Sequence, residues 1–518
     1  MKKAKKFMVF ILVLVMSINL ISCTPAKKTG VESEGLEQGN GNGGEDIITI
    51  AASMDIATLD PYAQNATLQN ALDNCIYNTL MFMDPATGEV SKELATSYEQ
   101  ISDIEWVFTI RDDVKFHNGE PLTASDVKFS IERSMASQGM ASKVSMVDHL
   151  EVIDDHTVKF VLKYPCVTLL NTLTFCATAI LNEEFVTSNG DNYVPNGTGP
   201  YKFREWKTGE HVILDRNDDY WGELHGAKTL KIVVMSEDTS RNIALEVGDI
   251  DVNINVAAVD FERIEKNDKL TLHKGINNKI DYLGLSHKDP ITSNLKVRKA
   301  IAYAINKQDY IDVVLEGYGE IANSFLGKNS EGFNANQKGY PYDLDKAKEL
   351  IAEAGYPGGF DLTITARSDR DNLIAQVLQG QLQEIGINVM IEIVENAVFF
   401  DKCAASTVQA SFGNWAATTS DADNPLRGVL YGPNGGTNNR TWYNNPELDD
   451  LLDTAITKSD AEERKGMYYR IQEIIYEDVA IIPLFVEETG ISANSNVGGI
   501  YVPVIGDIMP YYYYHWKN

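Results

Sequence analysis

Between Asp343 and Ile393 the hydrophobic period alternates between that of a helix and that of a strand, and this succession restricts the fold more than any other stretch. Leu344, Ala347, Ile351 and Ala354 share one helical face; Asp343 stands in the N-cap position, and Gly355 with Pro357 ends the helix. Phe360 to Thr365 reads as a strand. Leu373, Val377, Leu378, Leu382 and Ile385 mark a second amphipathic helix, closed by Gly386. Ile387, Val389, Ile391 and Ile393 then alternate as the next strand. Strand, helix, strand implies a crossover between parallel strands, so the expected class is α/β. These apolar stripes belong to the core and carry no function of their own.

The first half shows the same grammar less completely. Trp106, Phe108 and Ile110 fall on one face of a strand, as do Val158, Phe160 and Leu162, and Lys231 to Met235 is a third apolar strand. The turn His117-Asn118-Gly119-Glu120-Pro121 leads to Thr123 and Asp126, a capping-box pattern ahead of a helix reaching Arg133.

The N-terminus reads as an export signal. Lys2, Lys3, Lys5 and Lys6 precede an unbroken apolar run from Phe7 to Met16, and small and polar residues follow. The run is short of the roughly 20 residues a membrane span needs. Leu20-Ile21-Ser22-Cys23 resembles the bacterial lipobox, which implies a signal peptide over 1–22 and a lipid on Cys23. A diacylglyceryl group places two chains in the bilayer, enough for stable anchoring. The alternative is an ordinary signal cleaved elsewhere. Residues 23–46 carry the Gly39-to-Gly44 run and no aromatic residue, the composition of a flexible tether. As a coil it spans roughly 25–30 Å. Its accidental G-x-G-x-x-G has neither the preceding strand nor the following helix of a dinucleotide site.

Composition narrows the function. The roughly 470 residues beyond the tether exceed one ordinary core, which predicts two or three lobes. A formal net charge of −29 disfavours nucleic acid as a partner. Cys75, Cys166, Cys176 and Cys403 have no C-x-x-C spacing; Cys166 with Cys176 is the nearest pair, and buried free thiols are the simpler expectation. The eight histidines are scattered, so neither a zinc site nor any cofactor is indicated.

Several blocks together resemble the family 5 extracellular solute-binding proteins, the oligopeptide, dipeptide, glutathione and nickel binders. They are Trp106 to Val127; Gly197 to Phe203 with Arg216-Asn217 and Tyr220-Trp221; Val297 to Ile305; Glu353 to Pro357 with Gly359-Phe360; Tyr443 to Asp449; and Ile481 to Leu484. The resemblance implies a periplasmic-binding-protein type, two-lobed clamp with an additional third domain. The expected division is lobe I from 47–81, 181–285 and 488–518, the extra domain II from 82–180, and lobe III from 286–487. It also implies a non-enzymatic, monomeric protein that delivers short peptides to the permease subunits of an ABC importer, exported and held at the membrane by its lipid.

Closure around a peptide buries its terminal charges, and each needs a partner. In dipeptide-type relatives a Trp is followed closely by an aspartate that meets the ligand amine. Here Trp415 is followed by Thr418, Thr419, Asp421 and Asp423, with Tyr431 beyond, so these six are the expected ligand-binding residues. Thr418 or Thr419 falls where the aspartate belongs, and Asp421 and Asp423 could instead cap a turn before Pro425. Trp442 is a weaker aromatic candidate. A nickel chelate or another small solute remains an alternative ligand, and a sensor or adhesin that feeds no importer an alternative role. An exported hydrolase using Asp112/Asp113 or Asp421/Asp423 is the remote one. The chain has no G-x-S-x-G, H-E-x-x-H or P-loop.

Overall fold

A computed structural model describes residues 46–64, 66–190, 193–505 and 510–517. The expected signal peptide, Cys23 and nearly all of the tether lie outside the described residues.

A long sheet organises the chain. Its path runs Ile387–Ile393, Phe360–Ala366, Ala410–Trp415, Ile280–Leu285, Ile482–Asn494, Val252–Val256, Ile47–Ala52, Thr229–Val234, His211–Arg216 and Tyr201–Lys207. The crossover expected from the 343–393 pattern is present: Phe360–Ala366 pairs in parallel with Ile387–Ile393, from Phe360 opposite Ile387 to Ala366 opposite Ile393. The first helix is Leu344–Glu353, with Asp343 accepting the Lys346 amide. The second starts earlier than the apolar spacing indicates. It spans Asp369–Gln383, with Ser368 as N-cap accepting the Asp371 amide, because its first turn is polar and carries no apolar period.

Strand Ile482–Asn494 belongs to both halves of this sheet. Its first residues pair with Asp281 to Leu283 and with Gly319–Ile321, and its last with Leu270–Ile276 and Val252–Val256. The expected boundary at 487/488 therefore falls inside one continuous strand. Each half has its own core. One gathers Ile48, Ile50, Leu214, Leu230 and Tyr514; the other gathers Leu283, Leu362, Ile364, Leu378 and Phe485.

A third core lies under a separate four-stranded antiparallel sheet, Ala95–Ser102, Glu105–Ile110, Thr157–Leu162 and Val147–Asp154. Trp106, Phe108 and Ile110 point into it, and Phe108 meets Phe160 edge-on at 5.2 Å. Helix Ala124–Ala136 covers this sheet, and Asp126 accepts both the amide and the hydroxyl of Thr123 at its start. The fold is thus mixed α/β, with two lobes and a smaller extra domain. The four described cysteines are all buried free thiols, so Cys166 and Cys176 are not bridged. Cys166 instead contacts the Thr168 hydroxyl, and the Cys176 thiol donates to Asn70.

Candidate ligand cleft

The segment after strand Ala410–Trp415 turns sharply into helix Asp423–Leu430. Pro425 lies in the first turn of that helix, where a missing N–H costs no intrahelical bond. Trp415 lies against this helix over Gly428, where an added Cβ would come within 2.5 Å of the indole. The indole N–H donates to Asn424 at 3.2 Å, and Asn424 in turn donates to the Thr418 hydroxyl at 3.1 Å.

Asp421 is 2 % exposed and fully engaged. It accepts the Asp423 amide at 2.8 Å, the Tyr468 hydroxyl at 2.9 Å and Arg464 Nη2 at 2.8 Å. It therefore caps the turn and also forms a buried ion pair. Asp423 pairs with Arg427 one helical turn on, its two oxygens 3.1 and 3.0 Å from Nε. Arg427 Nη1 continues to Asp453 at 2.8 Å, Tyr431 donates to the same carboxylate at 3.0 Å, and the guanidinium lies 4.6 Å above the Tyr431 ring. Burial pushes the Asp423 carboxyl up to about 6, against the opposing pull of Arg427.

These groups form one wall of a cavity of about 730 Å³. Trp415, Thr418, Thr419, Asp421, Asp423 and Tyr431 all line it. The other wall comes from residues 142–175 and includes Lys143, Ser145, Tyr164, Cys166, Thr168 and Phe175. Burial pulls the Lys143 ammonium below its ordinary value. Sequence reasoning missed this wall, together with Arg427 and Asp453. The Asp423–Arg427 spacing of four was a usable signal once a helix is known to start at Asp423. Nothing local in the sequence pairs residues 143–175 with residues 415–457.

Trp442 does not line the cavity. Its indole donates to the Cys403 carbonyl at 2.8 Å and lies beneath Lys288, so it packs the neighbouring surface. No histidine stands among the described lining residues, and no group of three or more His, Cys, Asp or Glu able to hold a metal occurs among the described residues. A smaller cavity of about 320 Å³ surrounds Glu93, Tyr220 and Trp221 and contains none of the expected residues.

The family model described as bacterial extracellular solute-binding proteins, family 5 Middle, matches residues 89–437. The glutathione-binding protein GsiB of Pectobacterium atrosepticum is 30% identical over 471 residues, covering 88% of this chain and 91% of that protein. The Helicobacter pylori periplasmic binding protein DppA, solved with the peptide STSA, superimposes with a TM-score of 0.80 at 29% identity, covering 91% of this chain and 98% of that one. A dipeptide-binding protein from a Pseudoalteromonas species, solved with Met-Leu, gives 0.79 at 25% identity, covering 91% and 100%.

Proposed function

Because the chain belongs to the bacterial extracellular solute-binding proteins, family 5, we propose that it captures short peptides between its lobes and hands them to the permease subunits of an ABC importer. The observation that carries this reading is the cavity itself. It holds about 730 Å³ between two walls from distant stretches of the chain, 142–175 and 415–457, with aromatic side chains and charges of both signs in its lining. That volume is within the range of small-ligand sites, and mixed charge suits a zwitterion. The six sequence-expected residues form its recognition wall, and ligand biases the lobes toward closure. The chain acts by binding rather than by chemistry, as its family of solute-binding proteins does.

The accompanying architecture is part of the same proposal. Residues 47–81, 181–285 and 488–518 form one lobe, 286–487 the second and 82–180 the extra domain. The mature protein is a monomer tethered through lipid on Cys23 to the outer face of the cell membrane. Among the described residues no helix is long and apolar enough to cross a membrane.

Mass spectrometry of molecules released from the purified protein, followed by calorimetry with the same compounds, tests the function. Short peptides with saturable binding are the expected result. Recovery of a metal chelate, or metal-dependent binding, would replace the peptide reading with the chelate one. Turnover of a bound peptide would revive the hydrolase.

A further inference from the structure

Lys143 stands in the cleft without an anionic partner. It occupies the short helical turn Ala141–Val144 and is half-buried. Its Nζ lies 5.6 Å from the centre of the Phe175 ring, and among the described residues it makes no ion pair and no side-chain hydrogen bond. The carboxylates of the opposite wall are in the contrary situation. Asp421 is satisfied by Arg464 and Tyr468, while Asp423 and Asp453 share the single cation Arg427. Asp423, Asp453 and Arg427 together carry one net negative charge, and Lys143 carries one positive charge on the facing wall.

A half-buried ammonium loses more of its water when the walls close, and an unpaired charge in that state is costly. Retaining a lysine there is favourable when something anionic enters with the ligand. We propose that Lys143 receives the carboxylate end of the bound ligand, so that a zwitterionic peptide lies across the cleft with its ammonium toward Asp423, Arg427 and Asp453. The inference rests on the peptide reading of the cleft and adds the direction in which the ligand lies. The lowered proton affinity of Lys143 agrees with its desolvated position.

The test uses the full mature chain and two libraries of tri- to pentapeptides, one with free C-termini and one amidated. Capture is read by mass spectrometry and dissociation constants by calorimetry. Wild type is expected to prefer the free acid by roughly ten- to a hundredfold, the scale of one charge-assisted hydrogen bond. Lys143→Met keeps the stem on Phe175 and should erase that preference; Lys143→Arg should restore part of it. The unliganded melting temperature should fall little in Lys143→Met, since among the described residues the ammonium has no ion-pair or hydrogen-bond partner and loses only its contact with the Phe175 ring. Equal affinity of wild type for acid and amide overturns the proposal without needing any variant. So does a Lys143→Met protein that weakens both libraries equally, which would make Lys143 a contact between the walls. Capture of neither library by wild type overturns the peptide reading along with it.

Discussion

The backbone amide of Val167 donates to the carbonyl of Ile456 across 2.9 Å, joining segments that border opposite walls of the cleft. The bond uses no side chain and ties residue 167 to residue 456 through the backbone alone. A single such bond contributes about 0.5–1.5 kcal/mol net, enough to bias the walls together and too little to lock them.

That bond supplies a probe of closure. If ligand draws the walls together, hydrogen exchange at the Val167 amide should slow when peptide is bound, and the radius of gyration should shrink. Exchange mass spectrometry over a fragment containing Val167, with scattering on the same samples, checks both. Unchanged exchange at saturating ligand would count against a clamp.

Asp421 and Asp423 separate by burial. Asp421 is almost fully enclosed and holds three donors, so Asp421→Asn should destabilise the protein by about 3–5 kcal/mol, the usual cost of breaking a buried pair. Asp423→Asn leaves Arg427 its bond to Asp453, and the loss should be smaller, about 1–3 kcal/mol. Urea unfolding of the unliganded variants ranks them. An Asp421 variant as stable as wild type would contradict the role assigned to Arg464 and Tyr468.

The raised proton affinity of Asp423 gives binding and stability opposite pH trends. The ionised carboxylate contributes the negative charge that meets a ligand ammonium, so affinity should fall as pH drops through about 6, by at most about a decade per unit. The folded state holds this proton more tightly than the unfolded chain. The group's contribution to stability therefore declines as pH rises from the ordinary carboxyl range toward 6. Calorimetry between pH 5 and pH 8 (roughly one unit below Asp423's value to two above) reads the binding arm. Asp423→Asn should flatten it.

Replacing Cys23 by Ser should release the protein from membranes into the soluble fraction if, as proposed, a lipid on Cys23 holds it there. Fractionation with and without detergent measures it. Wild type found soluble after signal removal would exclude the lipid anchor.

Much of the fold was legible because its signals are local. The crossover from Phe360 to Ile393 shows in the alternation of apolar periods, whereas its register, with Phe360 opposite Ile387, comes from the structure. The turn at His117 and the Gly197 block also stood out, and the structure joins them: the His117 amide donates to the Gly197 carbonyl at 2.8 Å, and its ring lies 3.0 Å from the Gly199 carbonyl. Burial pulls that imidazole down to about 4. Strand Ile482–Asn494 is not legible as a strand: Ile481 to Leu484 enter only through the family resemblance, and Glu487, Glu488, Thr489 and Gly490 interrupt the apolar pattern beyond them. The cleft was half legible. Trp415 to Tyr431 cluster in sequence, whereas Lys143 reaches them only through the tertiary fold.

Strand Ile482–Asn494 has a consequence for how the chain is made. It completes both halves of the long sheet, yet it follows in the sequence every strand that it pairs with. Until it emerges, Leu270–Ile276, Ile280–Leu285 and Val252–Val256 each lack a neighbour, and neither lobe can close its hydrogen-bonding. A nascent chain therefore remains short of its native state until residues 482–494 have been made. That delay leaves unpaired sheet edges exposed in the meantime, open to pairing with another chain.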